Sequence, residues 1–187
     1  MTCNQLQISS KQVTKLYIQG GERLDPLTVF LDDIAPGKGQ ITISCFGKSW
    51  TAFWPRMGED ETIASWFAGL NVKYATGCMD STLQAEAFSA SKAMEEVKGR
   101  IISRRREEDL DATKARQLFD EAQSLCDATS MEDIFNCHNQ LMVSACGEEW
   151  WYDLDGAKEP NSDYTYLCRI ITTVQQAISQ TLLQKAG

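Results

Sequence analysis

The sequence predicts an α+β fold: an N-terminal antiparallel meander of three to four strands packed against helices, a helical-hairpin middle segment and a long C-terminal helix. Three observations carry this. Apolar residues alternate with a period of two as far as Trp54. From Ile63 the apolar period lengthens to three and four residues. The most regular apolar stripe, Tyr166 to Leu182, closes the chain.

QVTKLYI (12–18) is the first candidate strand. LTVFLDDI (27–34) follows Pro26 and sets Leu27, Val29 and Leu31 on one face against Thr28, Phe30 and Asp32. APGKGQ then supplies a turn, with Pro36 presetting φ and two glycines allowing positive φ. ITISCF (41–46) and SWTAFW (49–54) flank Gly47-Lys48, a glycine-first pair that suits a type II′ hairpin. Trp50, Ala52 and Trp54 share one face, because side chains two apart point the same way. Ile63, Trp66, Phe67 and Leu70 form a helical stripe with Asp60 or Glu61 at its start. Laid on the sheet, that stripe makes the clustered indoles a core rather than a ligand platform.

From Asp80 a heptad-like seam runs through Leu83, Ala87, Ala90, Met94, Val97 and Ile101 to the charged stretch RRREED (104–109). A second stripe follows through Ala112, Ala115, Leu118, Phe119, Ala122 and Leu125. One helix over 80–126 would be roughly 70 Å long, so a hairpin turning at Glu108–Asp111, with Asp109 or Asp111 as N-cap, is more economical. Ser130 and Asp133 open a further helix that passes through Ile134, Cys137 and His138 to Gly147. An acidic loop over 148–163 leads to the last helix, starting near Asn161 to Asp163. At 187 residues the chain suits one domain, 1–187, with 80–147 a candidate helical insertion.

The net charge of −8 is unevenly placed: between Asp127 and Asp163 nine acids face Lys158 alone. Acidity argues against direct nucleic-acid binding, which needs clustered Lys and Arg to neutralise phosphates, and suits a partner with a basic surface. No stretch approaches the ~20 apolar residues of a membrane span, and the N-terminus lacks the apolar run of a signal peptide. Seven cysteines at irregular spacing read as reduced thiols, most of them buried as small apolar groups.

No residue set stands out as catalytic, and neither a metal nor an organic cofactor is expected. The lone histidine, His138, lies in an apolar stripe and reads as a core residue. Cys126, Cys137, His138 and Cys146 lack the spacing that lets two zinc ligands converge from one turn. APGKGQ joins two strands instead of opening a helix, so its amides are a turn and not a phosphate cradle. Asp32 and Asp33 end a strand and read as solvating it, although carboxylates of this kind are the alternative for a metal-dependent enzyme. Arg104–Arg106 run straight into Glu107, Glu108 and Asp109, so pairing along a solvated helix face is expected. What remains is the segment Glu148, Glu149, Trp150, Trp151, Tyr152, Asp153 and Asp155, with aromatic anchors inside a charged rim as in protein-binding hot spots. Adjacent residues cannot both point inward on a regular element, so one indole capping the core is the competing reading.

The run LDPLTVFLDDIAPGKGQITISCFGKSWTAFWPRMGEDETIASWF and the tail EPNSDYTYLCRIITTVQQAI resemble a family of accessory proteins of tailed phages and enterobacterial prophages. The resemblance covers roughly 12–75 and 158–180 and carries no catalytic residues to transfer. It implies a small protein made in the bacterial host cytoplasm, acting without catalysis by binding and inhibiting a host component such as a defence factor. A metal-dependent enzyme, or an oligomeric structural protein assembled through the 83–101 helix, are the alternatives.

Overall fold

The computed structural model describes residues 7–186. The chain forms two compact units, one of residues up to Leu83 together with Ser162 onward, the other of Gln84–Asn161.

The first unit carries a four-stranded antiparallel sheet in the order β1 (Thr14–Ile18), β2 (Leu27–Ala35), β3 (Lys38–Cys45) and β4 (Lys48–Trp54). Val29, Ile43 and Trp50 lie opposite one another across β2, β3 and β4, as do Leu31, Ile41 and Ala52. This face takes α1 (Ile63–Gly69), α2 (Val72–Met79) and the long α7 (Ser162–Ala186), burying Phe67, Ala75, Ile170, Ile171 and Val174. The other face keeps polar cross-strand pairs, Thr42 with Thr51 and Ser44 with Ser49, joined through their hydroxyls at 2.9 and 2.7 Å. The architecture is α+β, as the change of period predicts.

The indoles belong to the core. Trp54 is buried and meets Phe67 edge-on, with ring centroids 6.0 Å apart. Trp50 and Trp66 pack against the same cluster. The indole N–H groups of Trp54 and Trp66 find no acceptor among the described residues, a cost of about 1–3 kcal/mol each that the burial of two large rings offsets. Helix and sheet approach closely at Gly39, where an added Cβ would sit 2.6 Å from Cβ of Ile63. Only glycine fits there.

Several local details differ from expectation. The β3–β4 loop is Phe46-Gly47, not Gly47-Lys48, because Cys45 pairs with Lys48. Both loop residues have positive φ, 45° and 81°, the signature of a type I′ turn, whose twist matches that of the strands. The cap of α1 is Thr62 and not Asp60 or Glu61: its hydroxyl accepts from the Ser65 amide while Ser65 Oγ accepts from the Thr62 amide. Asp33 does more than solvate its strand, since its carboxylate accepts from the Ile63 amide at 2.6 Å and orients the start of α1.

The second unit is helical apart from a short antiparallel pair, β5 (Glu86–Phe88) with β6 (Lys158–Pro160). The residues from Leu83 to Ser89 therefore do not continue a helix. α3 runs only over Ala90–Arg106, with Ser89 at its N-cap position. The hairpin forms as expected, Asp111 capping α4 (Ala112–Glu121) by accepting from the Lys114 amide at 2.8 Å. A 3₁₀ turn over Ala122–Asp127 extends that stripe. The helix expected through His138 is two helices, α5 (Met131–Cys137) and α6 (Asn139–Cys146), broken at His138 itself. Of the heptad-like seam, Val97 and Ile101 are buried in this unit's own core together with Ala93, and Met94 packs against it half-buried. Arg104 does not pair along its helix. Its guanidinium donates to the carbonyls of Ser144 and Ala145, at 2.9 and 3.0 Å, and so caps the C-terminal end of α6.

An acidic aromatic surface

The segment Glu148–Asp155 is a run of turns between α6 and β6. Gly147, at φ 101°, ends α6 in a conformation closed to other residues and turns the chain into it. Trp150 points inward: it is 1% exposed, and its indole N–H donates to Oδ1 of Asn139, at the start of α6, at 2.9 Å. Leu154 and Ala157 follow it into the core. Trp151 and Tyr152 point outward, 43% and 71% exposed. The rings form a chain, Trp151 edge-on to Trp150 at 6.0 Å and tilted against Tyr152 at 5.8 Å.

Glu148 and Glu149, which directly precede Trp150 in the chain, are exposed. Asp153 faces Arg100 of α3 at 3.8 Å, both half in water. Asp155 pairs with Lys158 at 2.8 Å, and the hydrogen bond from that ammonium holds its carboxyl below the usual carboxylate range. The two loop partners Arg100 and Lys158 position carboxylates and leave Glu148 and Glu149 without an ion pair among the described residues.

Of the seven residues singled out by sequence, six present themselves on the surface and Trp150 is the core anchor beneath them. Sequence reasoning missed Phe135 of α5, which is 55% exposed and whose ring lies 6.2 Å from that of Trp150. A signal existed: Phe135 follows Ile134 directly and falls off the apolar stripe of its helix. Asn139, the anchor's acceptor, gave no such signal.

His138 is half-buried at the α5–α6 break, its Nδ1 3.4 Å from the Ser124 hydroxyl, rather than inside the core. The cysteines are mostly not buried: Cys45 is, Cys146 and Cys168 are half-buried, and Cys78, Cys126 and Cys137 are exposed, while Cys3 lies outside the described residues. Among the described residues no three His, Cys, Asp or Glu side chains gather as metal ligands would. Burial, reinforced by Asp153, pushes the Cys146 thiol up to about 11 from an ordinary 9.0. At pH 8 its thiolate population is then about 100-fold below that of an ordinary thiol, offset about tenfold by greater nucleophilicity per thiolate. Iodoacetamide labelling followed by peptide mass spectrometry is expected to modify Cys78 about tenfold or more faster than Cys146. Equal rates would contradict the burial described here.

These features define a two-unit α+β protein with an exposed acidic aromatic segment in its second unit. The chain belongs to a phage family, whose model matches residues 6–180 and so spans the middle segment that the sequence resemblance leaves out. No curated protein and no solved structure matches the chain. Among the described residues no helix is long and apolar enough to cross a membrane.

Proposed function

We propose that this phage-family protein is a non-enzymatic binding module of the bacterial host cytoplasm, and that it inhibits a host protein of the defence class by docking on a basic surface of it. The observation that supports this reading is the arrangement of Trp151, Tyr152 and Phe135. Phe135 and Trp151 are exposed rings that meet the buried Trp150, Tyr152 is an exposed ring against Trp151, and the exposed Glu148 and Glu149 directly precede Trp150 in the chain. Large rings with few rotatable bonds bind at low entropic cost, and a surrounding rim of one charge sign steers and orients an oppositely charged partner. Anchoring through Trp150 pre-organises the loop, so less ordering remains to be done on binding.

The test is a quantitative pull-down from host lysate with three forms of the full chain: unaltered, Trp151→Ala/Tyr152→Ala, and Glu148→Lys/Glu149→Lys. Both variants change exposed positions and are expected to alter stability by no more than about 1 kcal/mol. A partner held by the unaltered chain is expected to be lost from both, with retention falling as salt screens the carboxylates. If every captured protein remains on both variants, the surface is assigned wrongly.

A further inference from the structure

We infer that the cleft between α3 and α4 is a second docking site, built for an acidic amphipathic segment of a protein partner. Its floor is apolar: Ile101 and Ile102 of α3 face Ala112, Ala115 and Phe119 of α4 across a groove of about 410 Å³. Ile102 remains 41% exposed there. Arg105 and Arg106 follow Ile101 and Ile102 by one helical turn and stand along the rim, joined from α4 by Arg116. Lys98 extends the cationic edge, its ammonium 4.9 Å from the centre of the Phe119 ring.

The run of three arginines is thereby divided. Arg104 turns away to the carbonyls of α6, whereas Arg105 and Arg106 form no ion pair among the described residues. Arg116 shares its Nε with Asp120 of its own helix at 3.0 Å, so the rim remains net cationic. In a chain of net charge −8, three arginines around an apolar floor are a local reversal of sign. The floor decides the class of occupant. A nucleic-acid backbone would use the guanidinium groups and gain nothing from Ile102 and Phe119. An amphipathic helix uses both, laying apolar side chains at i, i+3, i+4 and i+7 into the groove while its carboxylates meet the rim. The Arg fork suits carboxylates in particular, since it binds them in bidentate fashion.

A fluorescein-labelled amphipathic peptide of about 16 residues, with Leu on one face and Glu on the other, serves as the probe, and its Lys counterpart as the control. On the full chain the Glu peptide is expected to bind at least about tenfold more tightly than the Lys peptide by fluorescence anisotropy. Arg105→Glu/Arg106→Glu/Arg116→Glu should reverse that preference, and Ile102→Glu should weaken binding of the Glu peptide about tenfold with circular dichroism unchanged. The inference is overturned if the two peptides bind alike, or if Ile102→Glu has no effect. Arginine-dependent binding of oligothymidylate or of phosphatidylserine vesicles more tightly than the Glu peptide also overturns it. So does concentration-dependent self-association, seen by light scattering and abolished by the triple change, since the occupant would then be a second copy of the chain. None of these variants alters Glu148, Glu149, Trp151 or Tyr152, so the two surfaces fail or hold separately.

Discussion

Trp150→Ala is expected to destabilise the unit formed by residues 84–161 by about 3–5 kcal/mol. The indole is 1% exposed and lies in one core with Ile134, Leu141, Met142 and Leu154. Removing it takes away the largest buried side chain of that cluster and leaves a cavity that short helices can close only in part. The polar end matters as well. Asn139→Ala keeps the ring and strands its buried N–H, for about 1–3 kcal/mol. Whole-domain stabilities are about 5–15 kcal/mol, so the Trp150 change consumes a large share. Urea unfolding followed by circular dichroism gives the size of the loss, and hydrogen exchange by mass spectrometry gives its place. Protection should fall in peptides from α3, α4 and α6. Trp151→Ala, one residue along, should leave both measurements nearly unchanged. Equal effects at the two positions would contradict the inward and outward assignment of the indoles.

Phe67→Ala is the corresponding change in the other unit, and about 3–5 kcal/mol is again expected. Phe67 is fully buried and meets Trp54 edge-on, a contact worth about 0.5–1.5 kcal/mol beyond the area it covers. Its backbone matters too: the Gln175 side-chain amide donates to the carbonyls of Phe67 and Leu70, at 2.9 and 2.8 Å, tying the end of α1 to α7. A cavity at Phe67 therefore loosens both the sheet face and that tie. Loss of exchange protection in β3, β4 and the middle of α7 is the expected pattern. An unchanged unfolding midpoint would mean that the apolar face of this sheet is not packed as described.

The sheet was legible because its information is local. Strands 27–34 and 41–46 alternate cleanly, Pro36 and the glycines mark the turn, and the face bearing Trp50, Ala52 and Trp54 follows from the pleat alone. Asp111 and the apolar stripe from Tyr166 were legible for the same reason. The failures have nonlocal causes. Leu83 and Ala87 keep the spacing of the seam, yet Glu86–Phe88 pairs with Lys158–Pro160, and no window of sequence contains both strands. α2 was overlooked because NVKYATGCM holds a glycine and β-branched residues. Its Asn71 cap and tertiary burial of Ala75 and Met79 outweigh that weak propensity. Arg104 was assigned to its charged neighbours because the α6 carbonyls it serves are 40 and 41 residues away. At the candidate surface the residue types were legible and their direction was not. Nothing in EEWWYD states which indole turns inward until Asn139 is placed beneath it.

The β5–β6 pair has a topological consequence. The Asn161 amide donates to the Ala85 carbonyl at 3.0 Å, and Glu86 stands opposite Pro160. The chain thus departs for its excursion and returns from it across a gap of about 5 Å, the width of an antiparallel ladder. While the excursion is folded, the sheet-bearing part experiences it as a tight hairpin, however many residues it contains. Should it melt, the same stretch becomes a long floppy tether whose ends must be held together against an entropy that grows with the logarithm of its length. The two ends of this ladder therefore act as a staple that keeps the exit and the return of the excursion together for as long as it stays folded.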